Sequence, residues 1–106
     1  MLFSVVMAVY NGEEYLKEAI DSILHQTYKD FEFIIVNDGS SYKTREILNL
    51  IEDNRVRVIH LEVNKGLANA LNMGIQNANG EWIVRQDADH VSYPHRIIEQ
   101  AQSHKI

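Results

Sequence analysis

The chain has 106 residues, 45% of them hydrophobic and 24% charged, with one Pro and five Gly; this fits one globular domain and excludes a disordered or low-complexity segment. A formal charge of −5 without any basic run or arm argues against a nucleic-acid partner, and zero cysteines exclude disulfides and thiolate metal sites. No apolar stretch approaches the roughly 20 residues of a transmembrane segment, and Met1-Leu2-Phe3 lacks the basic flank of a signal peptide, so the expected place is the cytoplasm.

Phe3 to Val9 is a nearly continuous apolar run, as expected of a strand buried on both faces. Asn11-Gly12 interrupts it. A helix is expected from Glu13 to about Gln26, where Leu16, Ala19, Ile20, Ile23 and Leu24 recur at helical spacing, with Asn11 as N-cap and Glu14 three residues on. Phe31 to Val36 reads as a second strand ending at Asn37-Asp38-Gly39-Ser40-Ser41, and a second helix is expected over about Lys43 to Glu52, with Ile47, Leu48 and Ile51 inward. Val56 to Leu61 is the third strand. After Asn64-Lys65-Gly66 a helix should carry Leu67, Ala70, Leu71, Gly74, Ile75 and Ala78 inward and end at Asn79-Gly80, the glycine supplying a left-handed C-cap. Glu81 to Gln86 forms the fourth strand, and a last helix begins near Pro94. Strand–helix alternation with short connections predicts a doubly wound, mostly parallel α/β sheet. Ligands of such sheets bind beyond the carboxyl ends of the strands, near the switch in strand order.

The polar residues that follow the strands therefore share one rim: Tyr10 and Asn11, then Asp38, then Lys65, then Asp87 and Asp89. Asp87-Ala88-Asp89 places two carboxylates one residue apart after a strand, both ionised at pH 7. Hard oxygen ligands suit Mg²⁺ or Mn²⁺, and Mg²⁺ is usually held by one or two carboxylates together with substrate phosphates. The same Asp-x-Asp spacing also occurs in ordinary turns and caps. Each companion has two readings as well. Asp38 can accept a pyrimidine N–H or ribose hydroxyls, or cap the next helix. Tyr10 can stack on a base or join the core. Glu13 and Glu14 suit a helix N-terminus, Lys65 can meet a phosphate or simply turn the chain, and His90 and His95 can ligate Mn²⁺ or lie on the surface. G-x-G-x-x-G, G-x-x-x-x-G-K-[ST] and G-x-S-x-G are all absent, against dinucleotide-binding, P-loop and hydrolase readings.

Five stretches resemble, in order and spacing, the amino-terminal half of the family 2 glycosyltransferases with the GT-A fold: Ser4 to Glu13 with Leu16, Ser22 to Tyr28, Phe31 to Ser41, Asn64 to Asn72, and Gly80 to Asp89 followed by Pro94 and Arg96. The resemblance implies that residues 1–106 form the nucleotide-sugar-binding part of a glycosyltransferase domain. It places Ala8, Tyr10 and Glu13 in the nucleotide pocket, Asp38 at the uracil ring, Lys65 near the donor, and Asp87 and Asp89 in the D-x-D motif with Asp89 closest to Mg²⁺ or Mn²⁺. It further implies transfer, with inversion, from a UDP-sugar to a hydroxyl of a saccharide or lipid-linked acceptor, in polysaccharide biosynthesis. The expected location is cytoplasmic, extending to a peripheral place at the inner membrane face. His90 departs from the acid or small polar residue common at its position, and the chain stops at Ile106 where the family's catalytic domain continues. The acceptor half and the general base are accordingly expected beyond Ile106, and Trp82-Ile83-Val84 is expected near a sheet edge prone to self-association. The rival readings are a non-catalytic nucleotide-binding module of this fold and a sugar nucleotidyltransferase.

Overall fold

In the computed structural model, which describes residues 2–103, strands and helices alternate throughout. They are β1 (Phe3–Val9), α1 (Leu16–Leu24), β2 (Phe31–Asp38), α2 (Tyr42–Asn49), β3 (Val56–Leu61), α3 (Leu67–Gln76), β4 (Trp82–Arg85) and α4 (Arg96–Ser103). All strand pairs are parallel, in the order β3-β2-β1-β4, with Val5 beside Phe33 on one flank and Val84 on the other. The expected doubly wound sheet is therefore present.

Period-two alternation divides the sheet's side chains between two layers. Phe3, Val5, Met7 and Val9 join Phe31, Phe33 and Ile35 against Leu16, Ala19, Ile20 and Ile23 of α1, Leu48 of α2, and Ile97 and Ala101 of α4. On the opposite face Ile34 and Val36 pack with Ala70 of α3. A Cβ at Gly74 would stand 2.5 Å from Val6 Cγ1, so glycine lets α3 lie unusually close to β1. At the amino ends of the strands Glu32 Oε2 accepts from Ser4 Oγ and the Asn79 N–H, both at 2.5 Å, while Arg57 Nη2 donates to Glu32 Oε1 at 3.1 Å. Burial works to raise the Glu32 carboxyl, but these donors together hold it below the usual carboxylate range.

Several local expectations are corrected. α1 begins at Leu16, not Glu13, because residues 13–15 form a turn in which Gly12 O accepts the N–H groups of Tyr15 and Leu16. Asn11 does not cap α1. It takes a left-handed conformation (φ 51°), and its Oδ1 accepts the Ser41 N–H at 2.7 Å at the start of α2. α3 ends at Gln76 with Asn77 as C-cap, so Gly80 is no left-handed cap. Gly80 serves close approach instead: its N–H donates to Ser4 Oγ at 2.7 Å, where a Cβ would collide with that oxygen. Leu67 and Ile75 are exposed, not inward, because α3 meets the sheet mainly through Ala70 and Gly74.

Candidate functional site

After β3 the chain crosses to the far side of β1, so the switch in strand order falls between β1 and β4. A cavity of about 630 Å³ opens there, beyond the carboxyl ends of both strands. Ala8, Tyr10 and Gly12 supply its β1 side, Leu67, Leu71 and Asn72 of α3 one wall, and Arg85 to Asp89 the other, with Glu14 and Tyr15 at the rim. Tyr10 is 48% exposed, which decides for a cavity residue and against the core. Its loop is tied down beside it: Asn11 N–H donates to Ser40 Oγ at 2.9 Å, and Ser40 Oγ donates to Val9 O at 3.4 Å.

The acid pair lies on a turn closed by the His90 N–H donating to Asp87 O at 3.1 Å. Ala88 between the acids packs against the main core, within 3.9 Å of where a Gly12 Cβ would stand, while Asp87 and Asp89 are exposed. A small apolar residue in the middle thus anchors the turn and leaves both carboxylates outward. Asp87 Oδ1 lies 3.5 Å from Arg85 Nε, and among the described residues no hydrogen bond or ion pair engages the Asp89 carboxylate. No group of three or more His, Asp or Glu capable of holding a metal occurs among the described residues. Two open carboxylates nevertheless fit a hard divalent cation that completes its shell with phosphate and water. His90 is exposed and outside the cavity wall, and the His95 ring is engaged by Thr27 Oγ1 at 3.1 Å.

A buried polar framework holds this turn, and sequence reasoning assigned it no role. Gln86, 2% exposed, donates through Nε2 to Asp87 O and His90 O, and its Oε1 accepts from Ser92 Oγ (2.6 Å) and Arg96 Nη1 (2.7 Å). Arg96 Nη2 also donates to Arg85 O at 2.8 Å. Fully buried Gln26 donates to Tyr93 O and accepts the Ile97 N–H, fastening the far end of the loop. Alternation could have found Gln86, which continues the inward phase of Val84 and is thus a polar residue at a core-facing position.

Of the seven residues expected in the site, Ala8, Tyr10, Asp87 and Asp89 line the cavity, whereas Glu13, Asp38 and Lys65 do not. Glu13 accepts from Thr44 Oγ1 at 3.0 Å and joins the α1 turn to α2; its own backbone N–H and then Thr44 hold the carboxyl below its usual range. Asp38 is fully buried. Its Oδ1 accepts the Lys65 N–H at 2.7 Å and its Oδ2 the Asn64 Nδ2 at 3.2 Å, so it organises the loop before α3. Gly39 turns the chain at φ 70°, where a Cβ would stand 2.4 Å from Asn64 N.

A parallel sheet with its crevice at the switch point, edged by an acid pair, is the ligand-binding architecture of open α/β domains. The chain belongs to glycosyl transferase family 2, whose sequence profile matches residues 4–105. It is 47% identical over 92 residues to glycosyltransferase GlyG of Streptococcus pneumoniae, covering 85% of this chain and 31% of that protein. It is 40% identical over 100 residues to the putative glycosyltransferase EpsE of Bacillus subtilis, covering 92% of this chain and 36% of the other. The structure superimposes on S. aureus TarS in complex with UDP at a TM-score of 0.88, with 29% identity, 96% of this chain and 31% of TarS covered. It also matches a mannosyltransferase from Pyrobaculum calidifontis in complex with GDP-Man and Mn²⁺, at a TM-score of 0.71, 27% identity, 82% of this chain and 27% of the other. The chain thus spans about a third of the length of these relatives. The GT-A-like fold expected from the sequence is the one found, and among the described residues no helix is long and apolar enough to cross a membrane.

Proposed function

We propose that this chain is the donor-binding part of an inverting, metal-dependent glycosyltransferase that takes a UDP-sugar and delivers the sugar to an acceptor hydroxyl of a saccharide or lipid-linked substrate. The observation that carries the reading is the open acid pair at the switch-point crevice. In this reading Ala8 and Tyr10 face the nucleoside, Tyr10 offering its ring to the base. Asp87 and Asp89 hold Mg²⁺ or Mn²⁺, Asp89 more directly because Asp87 is shared with Arg85. A bound metal would supply Lewis-acid stabilisation of the departing nucleoside diphosphate. The UDP and UDP-GlcNAc complexes of TarS support the uridine donor, and the Mn²⁺ complex of the mannosyltransferase supports the metal.

Asp38 and Lys65 enter this reading as a pair. The Asn64 amide that covers Asp38 Oδ2 belongs to an exposed residue, and its 3.2 Å bond is long. Displacing that amide frees Oδ2 for a uracil N–H while the Lys65 N–H keeps Oδ1 in place. In the same reading Lys65 offers its ammonium to the donor, and Glu13 contributes by fastening the α1 turn to α2. Calorimetry with UDP, with and without Mn²⁺ and chelator, tests the assignment: UDP affinity should depend on the metal, and equal affinity in chelator would remove the acid pair from the donor site.

Self-association and peripheral membrane attachment belong to the same reading. β4 is the last strand of the sheet among the described residues, with Trp82 39% and Ile83 43% exposed. A sheet edge of this kind pairs with further chain, from the same molecule or another. Light scattering over a concentration series should show mass growing with concentration; a constant monomer mass would show that the edge is protected.

A further inference from the structure

We infer that Arg85 is the diphosphate-positioning residue of this crevice, held by Asp87 until a metal–diphosphate arrives. The inference deepens the donor-binding reading and rests on it. Of the described residues lining the cavity, three carry carboxylates, Glu14, Asp87 and Asp89, and only Arg85 carries a positive charge. A nucleoside diphosphate brings further negative charge into this acidic crevice. A divalent ion on the acid pair offsets part of it, and the guanidinium beside the pair offsets more.

The geometry sets Arg85 apart from Arg55, Arg57 and Arg96, whose guanidinium groups are hydrogen-bonded. Arg55 donates to Asp53 and Leu24 O, Arg57 to Glu32 and Asn77 O, and Arg96 to Gln86, Ser92 and Arg85 O. Arg85 makes no side-chain hydrogen bond among the described residues; its only charged contact is the 3.5 Å approach of Nε to Asp87 Oδ1. The side chain is 70% exposed, so the four N–H donors of Nη1 and Nη2, suited to two-pronged phosphate recognition, remain open. The backbone beneath it is fixed. Arg96 holds its carbonyl, and the next N–H, that of Gln86, donates to Val6 O at 3.0 Å. Arg85 also pairs with Val6 in the register, so it shares the sheet face covered by α3, whose Leu71 and Asn72 form the opposing wall.

This arrangement gives one cation two successive partners. Without ligand, Arg85 neutralises Asp87. With a metal held by Asp87, the guanidinium would be free to turn to the phosphates, where a charge-assisted, two-pronged contact is stronger than a single 3.5 Å ion pair in water.

The test measures Arg85→Gln and Arg85→Lys in the 106-residue chain by calorimetry with Mn²⁺ alone, inorganic pyrophosphate plus Mn²⁺, and UDP plus Mn²⁺, with uridine followed by NMR shifts. Arg85→Gln should weaken pyrophosphate and UDP about 10-fold or more, leave uridine unchanged, and leave Mn²⁺ alone unchanged or tighter, because a competing cation is gone. Arg85→Lys should recover only part of the loss, since a point charge replaces a fork. Opposite movement of metal and diphosphate affinity is something a merely structural role would not produce. Unchanged diphosphate affinity, or equal loss for uridine, overturns the inference. If wild type binds Mn²⁺-pyrophosphate in an Arg85-dependent way but not UDP, the uridine reading fails and the role of Arg85 stands. If it binds neither, both fall.

Discussion

The carboxyl ends of β2 and β4 each carry aspartates, and the chain treats them in opposite ways. Asp38 at the end of β2 is fully buried and occupied by the Lys65 N–H and the Asn64 amide. Asp87 and Asp89 after β4 are exposed, one loosely shared with Arg85 and the other unengaged among the described residues. A carboxylate satisfied by its own backbone stabilises the fold, whereas one left open costs little stability and is available for a ligand. Position at a strand end is common to both; the loops around them decide which carboxylates stand open and which must first give up a partner.

The contrast is sharpest in Asp89→Asn. If Asp89 ligates the metal as proposed, its loss should weaken Mn²⁺-dependent UDP binding by about 100-fold or more. Its urea-unfolding free energy should stay within roughly 0.5 kcal/mol of wild type, as for an exposed substitution. A large loss of stability would mean that the acid pair is structural. Gln86→Ala comes next. It removes the acceptor of Arg96 and Ser92 and the donor to two turn carbonyls, so unfolding should become easier by about 2–3 kcal/mol. Metal affinity should fall as well, although Gln86 has no place in the metal shell. Asp38→Ala should cost about 1–3 kcal/mol, because the buried carboxylate that holds the Lys65 N–H and the Asn64 amide is lost. Unchanged stability there would dissolve the comparison.

The smallest effect concerns pH. His60, at the β2–β3 end, accepts from Asn37 Nδ2 at Nδ1, since Asn37 Oδ1 already accepts the Ser40 N–H. Its Nε2–H then donates to Asn49 Oδ1 at 3.2 Å, a pairing that suits the neutral ring. Burial, and then Arg45, push its pKa below the ordinary histidine value. The unfolded chain therefore takes up a proton before the folded one does. Stability should be full above about pH 6.5 and decline as pH falls from there toward the lowered folded value. His60→Gln should flatten that slope in urea titrations between pH 7 and pH 5, while metal binding at the β4 end should be insensitive to this substitution.

Strand and helix identities were legible because Val5, Phe33, Val58 and Val84 sit in apolar runs bounded by Gly, Asn and Asp. The rim was legible for the same reason, since a parallel sheet puts the residues after its strands on one side. The fate of each rim residue was not. Asp38 finds its partner 27 residues later, and Asn11 caps a loop 30 residues away, pairings that periodicity does not encode. Gln86 reads as the end of the fourth strand and Arg96 as part of the last helix, and their mutual hydrogen bond appears only when the fold closes around them. Tyr10, by contrast, reads from residue type as a core aromatic, yet it stands half exposed in the cavity.

The placement of β4 beside β1 also has a kinetic consequence. The crevice is made by the first strand and the last strand of the described sheet, so neither synthesis nor folding of the first three strands creates it. Closing the longest loop is entropically the most demanding pairing step, and contacts of such long range form late. The β1–β4 ladder should therefore be the first part of the sheet to open and the last to close, visible as faster amide exchange at Val84 and Gln86 than at Ile34 and Val36. A ligand spanning the two ends would act as a clasp on that step, slowing exchange at β4 most of all.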